Sequence, residues 1–260
     1  MKSELNFCSV NCVEHVLIIT INRPEVRNAL HPPASIELNQ IFDNFFADPM
    51  LRVAVLTGAG TAFCAGNDLK HQAGTKAQAL PAGGFGGITA RWQRTKPVIA
   101  AVNGLAFGGG FEIALSCDLI VAADSAAFAL PEARVGVVAT AGGLLRLPRQ
   151  LPMKVAMALI VAGQRLSAQR AYEFGLVNEV VPQEEVLNTS LEWAKEIAQA
   201  SPAAVRAAMQ VVDQGLSEPA IEQLYVRQKS LSAVKELYAS PDFTEGPRAF
   251  SEKRRPVWRT

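Results

Sequence analysis

The stretch VNGLAFGGGFEIALSCDLIVA, Val102 to Ala122 with the chain continuing apolar on both sides, decides the fold. Three consecutive glycines, Gly108 to Gly110, interrupt one of the most hydrophobic regions, and Glu112 follows two residues later. Each glycine costs a helix about 1 kcal/mol relative to alanine. An unpaired carboxylate is far more expensive to bury. An earlier stretch, VAVLTGAGTAFCAGNDL (53–69), has the same design: a short apolar strand, a glycine turn, then the start of a helix. A helix start offers unpaired N–H groups and the positive end of a dipole. Glycine lets another atom approach that backbone. Two such turns on adjacent strands can aim two N–H groups at one oxygen, which is an oxyanion hole.

Working outward, residues 6–21 read as two strands joined by a turn near Cys12–His15, and Asn22-Arg-Pro24 breaks the chain. ASIELNQIFDNFF (34–46) has helical periodicity, and RVAVLT (52–57) is a buried strand. Residues 61–70 read as a loop into a short helix, and the Ala- and Gly-rich segment 72–87 as mobile. Strands are expected at 97–102, 118–123, 127–130 and 176–181. Helices are expected at 109–117, 141–149, 153–162 and 168–174, the last capped by Ser167 and closed by Gly175. Beyond Gln183 only helices are expected: 184–199, 202–215, 218–239 and a short tail. This is an α/β core, residues 1–195, followed by a helical region, 196–260. The two copies of the turn design favour a spiral of strand–strand–helix units over a doubly wound sheet.

The 260-residue chain carries a formal net charge of +1, so global electrostatics give no reason to expect nucleic acid or an acidic membrane as partner. Its four cysteines form no C-x-x-C pair, and no two of its three histidines have metal-ligand spacing. Reduced thiols in the cytoplasm are the expectation. The N-terminal MKSELNF lacks the apolar segment of a secretion signal. The longest apolar zone is broken by Asn103, Glu112 and Asp118, which argues against a membrane span. G-x-G-x-x-G, the P-loop motif and G-x-S-x-G are all absent, which leaves nucleotide-cofactor and serine-hydrolase readings weak.

FCAGNDLK and VNGLAFGGGFEIALSCDLIVA, with FALPEARVGVVATAGGLLRLPR, GQRLSAQRAYEFGLVNEVVP and EGPRAFSEKRRP, resemble the crotonase, or enoyl-CoA hydratase/isomerase, family over essentially the whole chain. The resemblance implies a crotonase-type α/β spiral of repeated ββα units with an α-helical C-terminal trimerisation region. It also implies an acyl-CoA thioester substrate, no cofactor beyond the coenzyme A of that substrate, and assembly as a homotrimer or dimer of trimers. GGFGGIT, NGLAFGGGFE, LLRLPRQLP and EGPRAFSEKRRPVW look closest to carnitinyl-CoA dehydratase-like members.

Carried over by motif, the oxyanion-hole donors are the N–H groups of Asn67 and Gly109, and the acid/base pair is Glu112 and Glu132. Adding water across C2–C3 of an enoyl thioester needs two proton movements, which two carboxyls of unlike protonation can divide. The pair favours hydration or its reverse over the alternatives: double-bond isomerisation, a non-catalytic relative, or a ClpP-like peptidase, which needs a histidine where none follows His71. Expected contacts to coenzyme A are Arg27, Ala65, Asp68, Leu69 and Lys70, with Phe250 and Lys253 reaching a neighbouring subunit's coenzyme. Phe85, Trp92 and Phe111 are candidates to line a cationic acyl tail. Many hydratases of the family have Pro-Gly where this chain has Ala139-Thr140, and there a backbone N–H helps hold the catalytic water; this departure bears on straight-chain specificity.

Overall fold

A computed structural model describes residues 5–74 and 79–259. The chain opens with a hairpin, β1 (Cys8–Val13) and β2 (Val16–Ile21), then α1 (Pro32–Ala47). Three units follow, each with one strand in a large sheet and one in a small sheet. The first is β3 (Val53–Gly58), β4 (Ala62–Cys64) and α2 (Leu69–Gly74). The second is β5 (Val98–Val102), β6 (Leu105–Phe107) and α3 (Gly109–Ser116). The third is β7 (Leu119–Ala123), β8 (Ala127–Ala129), a 3-10 turn at Glu132–Val135, α4 (Gly143–Gln150) and α5 (Met153–Ala162). The chain closes with β9 (Arg165–Ser167), α6 (Ala168–Glu173), β10 (Glu179–Val181) and α7 (Val186–Gln199). After these come α8 (Pro202–Ser217), α9 (Ile221–Arg227), α10 (Ser232–Ala239) and α11 (Asp242–Ser251).

The large sheet runs β1-β2-β3-β5-β7-β10 and is parallel except for the opening hairpin; the small sheet runs β4-β6-β8-β9 and is parallel except for β9. Each unit therefore climbs one step in both sheets, which is the expected spiral. β3 and β5 are buried along their whole length, as the continuous runs VAVLTG and VIAAV require of a parallel sheet covered on both faces. The main core gathers these strands with Leu38, Phe42 and Phe45 of α1, Phe111 and Ile113 of α3, and Ala194 of α7. Ala207, Ala233 and Val234 form a separate cluster among the C-terminal helices.

Several expectations are corrected. Residues 61–70 contain the strand β4, and β9 stands where no strand was read. The strand expected over 176–181 begins only at Glu179, because the N–H groups of Leu176 and Val177 turn back to Ala171 O and close α6. The single helix expected at 218–239 is divided by a 3-10 turn at Gln228–Ser230, and the tail is the ten-residue α11. Of the segment expected to be mobile, 75–78 lie outside the described residues, whereas Gly83–Gly87 are buried. Gly83 donates to Asn39 Oδ1 on α1 and Gly86 N to Ser35 Oγ. The side-chain space of Gly87 is filled by the Asn39 backbone, so the glycines here serve close packing on α1.

Candidate active site

Two asparagines hold the glycine turns in place. Asn103 Nδ2 donates to Gly58 O (2.8 Å) and Gly60 O (2.9 Å), stitching the turn after β5 to the turn after β3. Asn28, buried at φ +58°, donates through Nδ2 to Ala59 O (2.9 Å) and Ala62 O (2.7 Å). Further along, a short parallel bridge joins Leu30 to Asn67: Leu30 N donates to Gly66 O (2.8 Å) and Asp68 N to Leu30 O (2.9 Å). That pairing turns the N–H of Asn67 away from Leu30.

The turns meet at their glycines. The side-chain space of Gly66 (φ +95°) lies 2.7 Å from Phe107 O and 3.1 Å from Gly109 N. A side chain there would cover the N–H of Gly109, the first residue of α3 and so one with no acceptor within its helix. The side-chain space of Gly110 is occupied by Cys64 O, and that of Gly109 by the Phe85 ring. Gly108 (φ +55°) has Glu132 Oε1 2.9 Å from the position a Cβ would take. The three glycines thus have three tasks: approach of a carboxylate, seating under Phe85, and contact with β4.

Glu132 approaches Gly108, and Glu112 stands in the first turn of the same helix, close enough to feel the Glu132 charge. Glu112 N donates to Gly108 O (3.0 Å), and the residue is 3% exposed in a helix buried at every position. Its Oε1 accepts from Gly143 N at 2.8 Å. Burial pushes the Glu112 carboxyl up to about 7; the Glu132 charge adds to this, while N–H groups of Gly143 and Ala141 and the Arg146 guanidinium pull down. Glu132 is half-buried at the start of the 3-10 turn after β8, and burial raises its carboxyl too. Its Oε2 is a buried oxygen without a hydrogen-bond partner among the described residues. Two interacting carboxyls, both shifted towards neutrality, titrate as a pair and are suited to acid/base work near pH 7.

Of the residues expected at coenzyme A, Arg27, Leu69 and Lys70 are exposed, and Ala65 N donates to Arg27 O (3.0 Å), which gathers them at one surface beside Asn67. Asp68 has structural partners: it accepts from His71 N (3.1 Å) and pairs with Arg23 at 3.1 Å. Burial would raise its carboxyl, but His71 N–H and Arg23 hold it below the usual range. Phe250 is 89% exposed and Lys253 is also exposed, neither held against the glycine turns of its own chain. Of the aromatic candidates, Phe111 is fully buried against Phe128 (5.1 Å between rings) and therefore lines no open site, and the Trp92 face holds Arg146. Thr140 N donates to Val138 O (2.9 Å), so the N–H that the Pro-Gly motif would offer to water is used within the loop. Sequence reading missed Arg23, Asn28 and Arg146; the NRPEVRN run around the first two was noted only as a breaker and a source of Arg27.

Residues 12–260 match the enoyl-CoA hydratase/isomerase family. The chain belongs to that family. It is 45% identical over 249 residues to a carnitinyl-CoA dehydratase of Escherichia coli K12, covering 94% of this chain and 95% of the relative. An enoyl-CoA hydratase from Mycobacterium tuberculosis H37Rv superposes with a TM-score of 0.92 at 40% identity, covering 97% of this chain and 98% of that one. A carnitinyl-CoA hydratase from Mycobacterium avium superposes with a TM-score of 0.78 at 39% identity, covering 98% and 99%. The crotonase fold and the family expected from the motifs are both borne out. Among the described residues, no helix is long and apolar enough to cross a membrane.

Proposed function

We propose that the protein is an acyl-CoA hydratase/dehydratase, adding water across C2–C3 of an enoyl thioester or removing it from the 3-hydroxy form. The observation that carries this reading is the approach of the Glu132 carboxyl to Gly108, beside the N–H of Gly109, together with the buried Glu112 carboxyl in the first turn of the same helix. The thioester oxygen sits between the N–H groups of Asn67 and Gly109. Water adds its oxygen to C3 and gives a proton to an ionised glutamate. The electron pair of the double bond moves towards the thioester, whose oxygen gains enolate charge at the two donors. The neutral glutamate then delivers a proton to C2. Dehydration runs the same steps backwards.

Coenzyme A lies along Arg27, Ala65, Asp68, Leu69 and Lys70, with Phe250 and Lys253 supplied by a neighbouring copy in a homotrimer or dimer of trimers. In this reading the core spans residues 1–195, the helical region 196–260, and the protein works in the cytoplasm. The acyl group is of the carnitinyl type, carrying a trimethylammonium beyond the reacting carbons. The 45% sequence identity to the Escherichia coli carnitinyl-CoA dehydratase and the altered Ala139-Thr140 loop support that choice over straight-chain substrates. Incubation with crotonobetainyl-CoA and with crotonyl-CoA, followed by mass spectrometry, tests it. Gain of one water by the first, much faster than by the second, is expected; preference for crotonyl-CoA would overturn the carnitinyl assignment.

A further inference from the structure

We infer that Arg146 is a positioning residue for Glu112: through Gly142 it braces the turn whose Gly143 N–H grips the Glu112 carboxyl. The inference rests on the reading of Glu112 as an acid/base group. Arg146 lies in GLLRLPRQ, where a helical arginine would ordinarily be a solvated surface charge. Here its guanidinium is drawn inward. Nη2 donates to Thr89 O at 2.9 Å, and Cζ lies 4.3 Å from the centre of the Trp92 ring. Nη1 is buried without a hydrogen-bond partner among the described residues and fills the side-chain space of Gly142.

Gly142 is the residue on which the grip on Glu112 turns. It stands at φ +105°, caps α4, and accepts from Arg146 N at 2.8 Å. The next residue, Gly143, donates its N–H to Glu112 Oε1. The guanidinium is planar and rigid, so its seating between Thr89, Trp92 and Gly142 fixes the turn from below. A buried cation needs a compensating charge. On Arg146 the acting groups are Arg94 from the segment before β5, Cys117 at the end of α3, and Glu112. Arg94 is itself paired with Asp118 at 2.5 Å. Burial pushes the Cys117 thiol up to about 12, so it is neutral at physiological pH. Once ionised, Glu112 is therefore the carboxylate whose charge acts on Arg146. The Glu132 charge raises the Glu112 carboxyl in turn, and the Arg146 charge lowers it. Each time Glu112 loses its proton, Arg146 stabilises the resulting anion and offsets Glu132.

The test reads the ionisation of Glu112 without substrate, by the infrared band of its protonated carboxyl, assigned by its loss in Glu112→Gln. Removing the cation leaves the anion less stable, so Arg146→Gln raises the midpoint by about one pH unit, tenfold in the ionisation constant. Arg146→Lys, which keeps the charge, shifts it by less than half of that. On an enoyl-CoA substrate, Arg146→Gln loses about tenfold in kcat with KM nearly unchanged, and Arg146→Lys recovers part of it. Should Arg146→Gln fail to fold, Trp92→Leu removes only the exposed ring on which the guanidinium rests and raises the midpoint in the same direction. An unmoved midpoint in a folded variant would overturn the role of Arg146. A wild type inactive on every enoyl thioester would overturn the hydratase reading and leave the titration result standing.

Discussion

Glu112 is held protonated by the same burial that destabilises it as an anion, and this has a sign that stability measurements can read. Its folded pKa, about 7, lies above the ordinary value of 4.5. Below both values the carboxyl is neutral in folded and unfolded chains alike. As pH rises from about 4.5 to 7 the unfolded chain releases its proton first, so stability falls through that window and levels off above it. Glu112→Gln removes the penalty and still offers an oxygen to Gly143 N. The variant is therefore expected to be more stable than wild type at pH 8, by up to about 3 kcal/mol, with the gain vanishing below about pH 4. Urea unfolding at the two pH values checks this. Gly108→Ala would place a methyl 2.9 Å from Glu132 Oε1 at φ +55°, displacing that carboxyl. Its expected effect is a fall in kcat of at least tenfold in a folded protein, read by steady-state kinetics beside circular dichroism. At this scale the glycines and Glu112 were legible in the sequence, because burial and charge conflict visibly in GGGFE, whereas Glu132 came only from the family resemblance. Arg146 was not, because an arginine on an amphipathic helix gives no sign of which way its guanidinium turns.

The elements that position the site depend on a few buried polar clamps. Asn103→Ala would leave Gly58 O and Gly60 O without their donor at the junction of the first two units. A loss of about 2–4 kcal/mol in stability is expected from those unmade bonds, measured by denaturant unfolding. β2, β3, β5 and β7 of the large sheet were legible as apolar runs, and most of the helices as periodic ones. The three-residue strands β4, β6 and β9 were not, since three residues are too few to show a period. Their pairing comes from the neighbouring unit, which is tertiary information. The Gly-rich segment before Ile88 failed for a different reason: composition that permits mobility also permits backbone contact, and Gly83–Gly87 use it to lie on α1 and to seat Phe85 over Gly109.

On the scale of the whole molecule, α5 leaves Met153, Met157 and Val161 exposed along one side, and the loop after Glu132 exposes Val135, Val137 and Val138. Ile221, Tyr225 and Val226 are exposed on α9. Apolar surface of this extent fits the proposed homotrimer or dimer of trimers. Sedimentation equilibrium is expected to give three or six times the chain mass of 27.9 kDa. Because Lys253 is proposed to reach a neighbour's coenzyme, Lys253→Glu is expected to raise KM for the acyl-CoA several-fold with little change in kcat. The central claim is that two carboxyls around one pair of backbone donors hydrate an enoyl thioester, and one measurement tests it most directly. The absorbance of the enoyl-thioester band is followed with crotonobetainyl-CoA and crotonyl-CoA for wild type, Glu112→Gln and Glu132→Gln. The band should decay with wild type and persist with either variant, each losing at least about a hundredfold in kcat. Full activity in either variant, or no decay with wild type on either substrate, would contradict it.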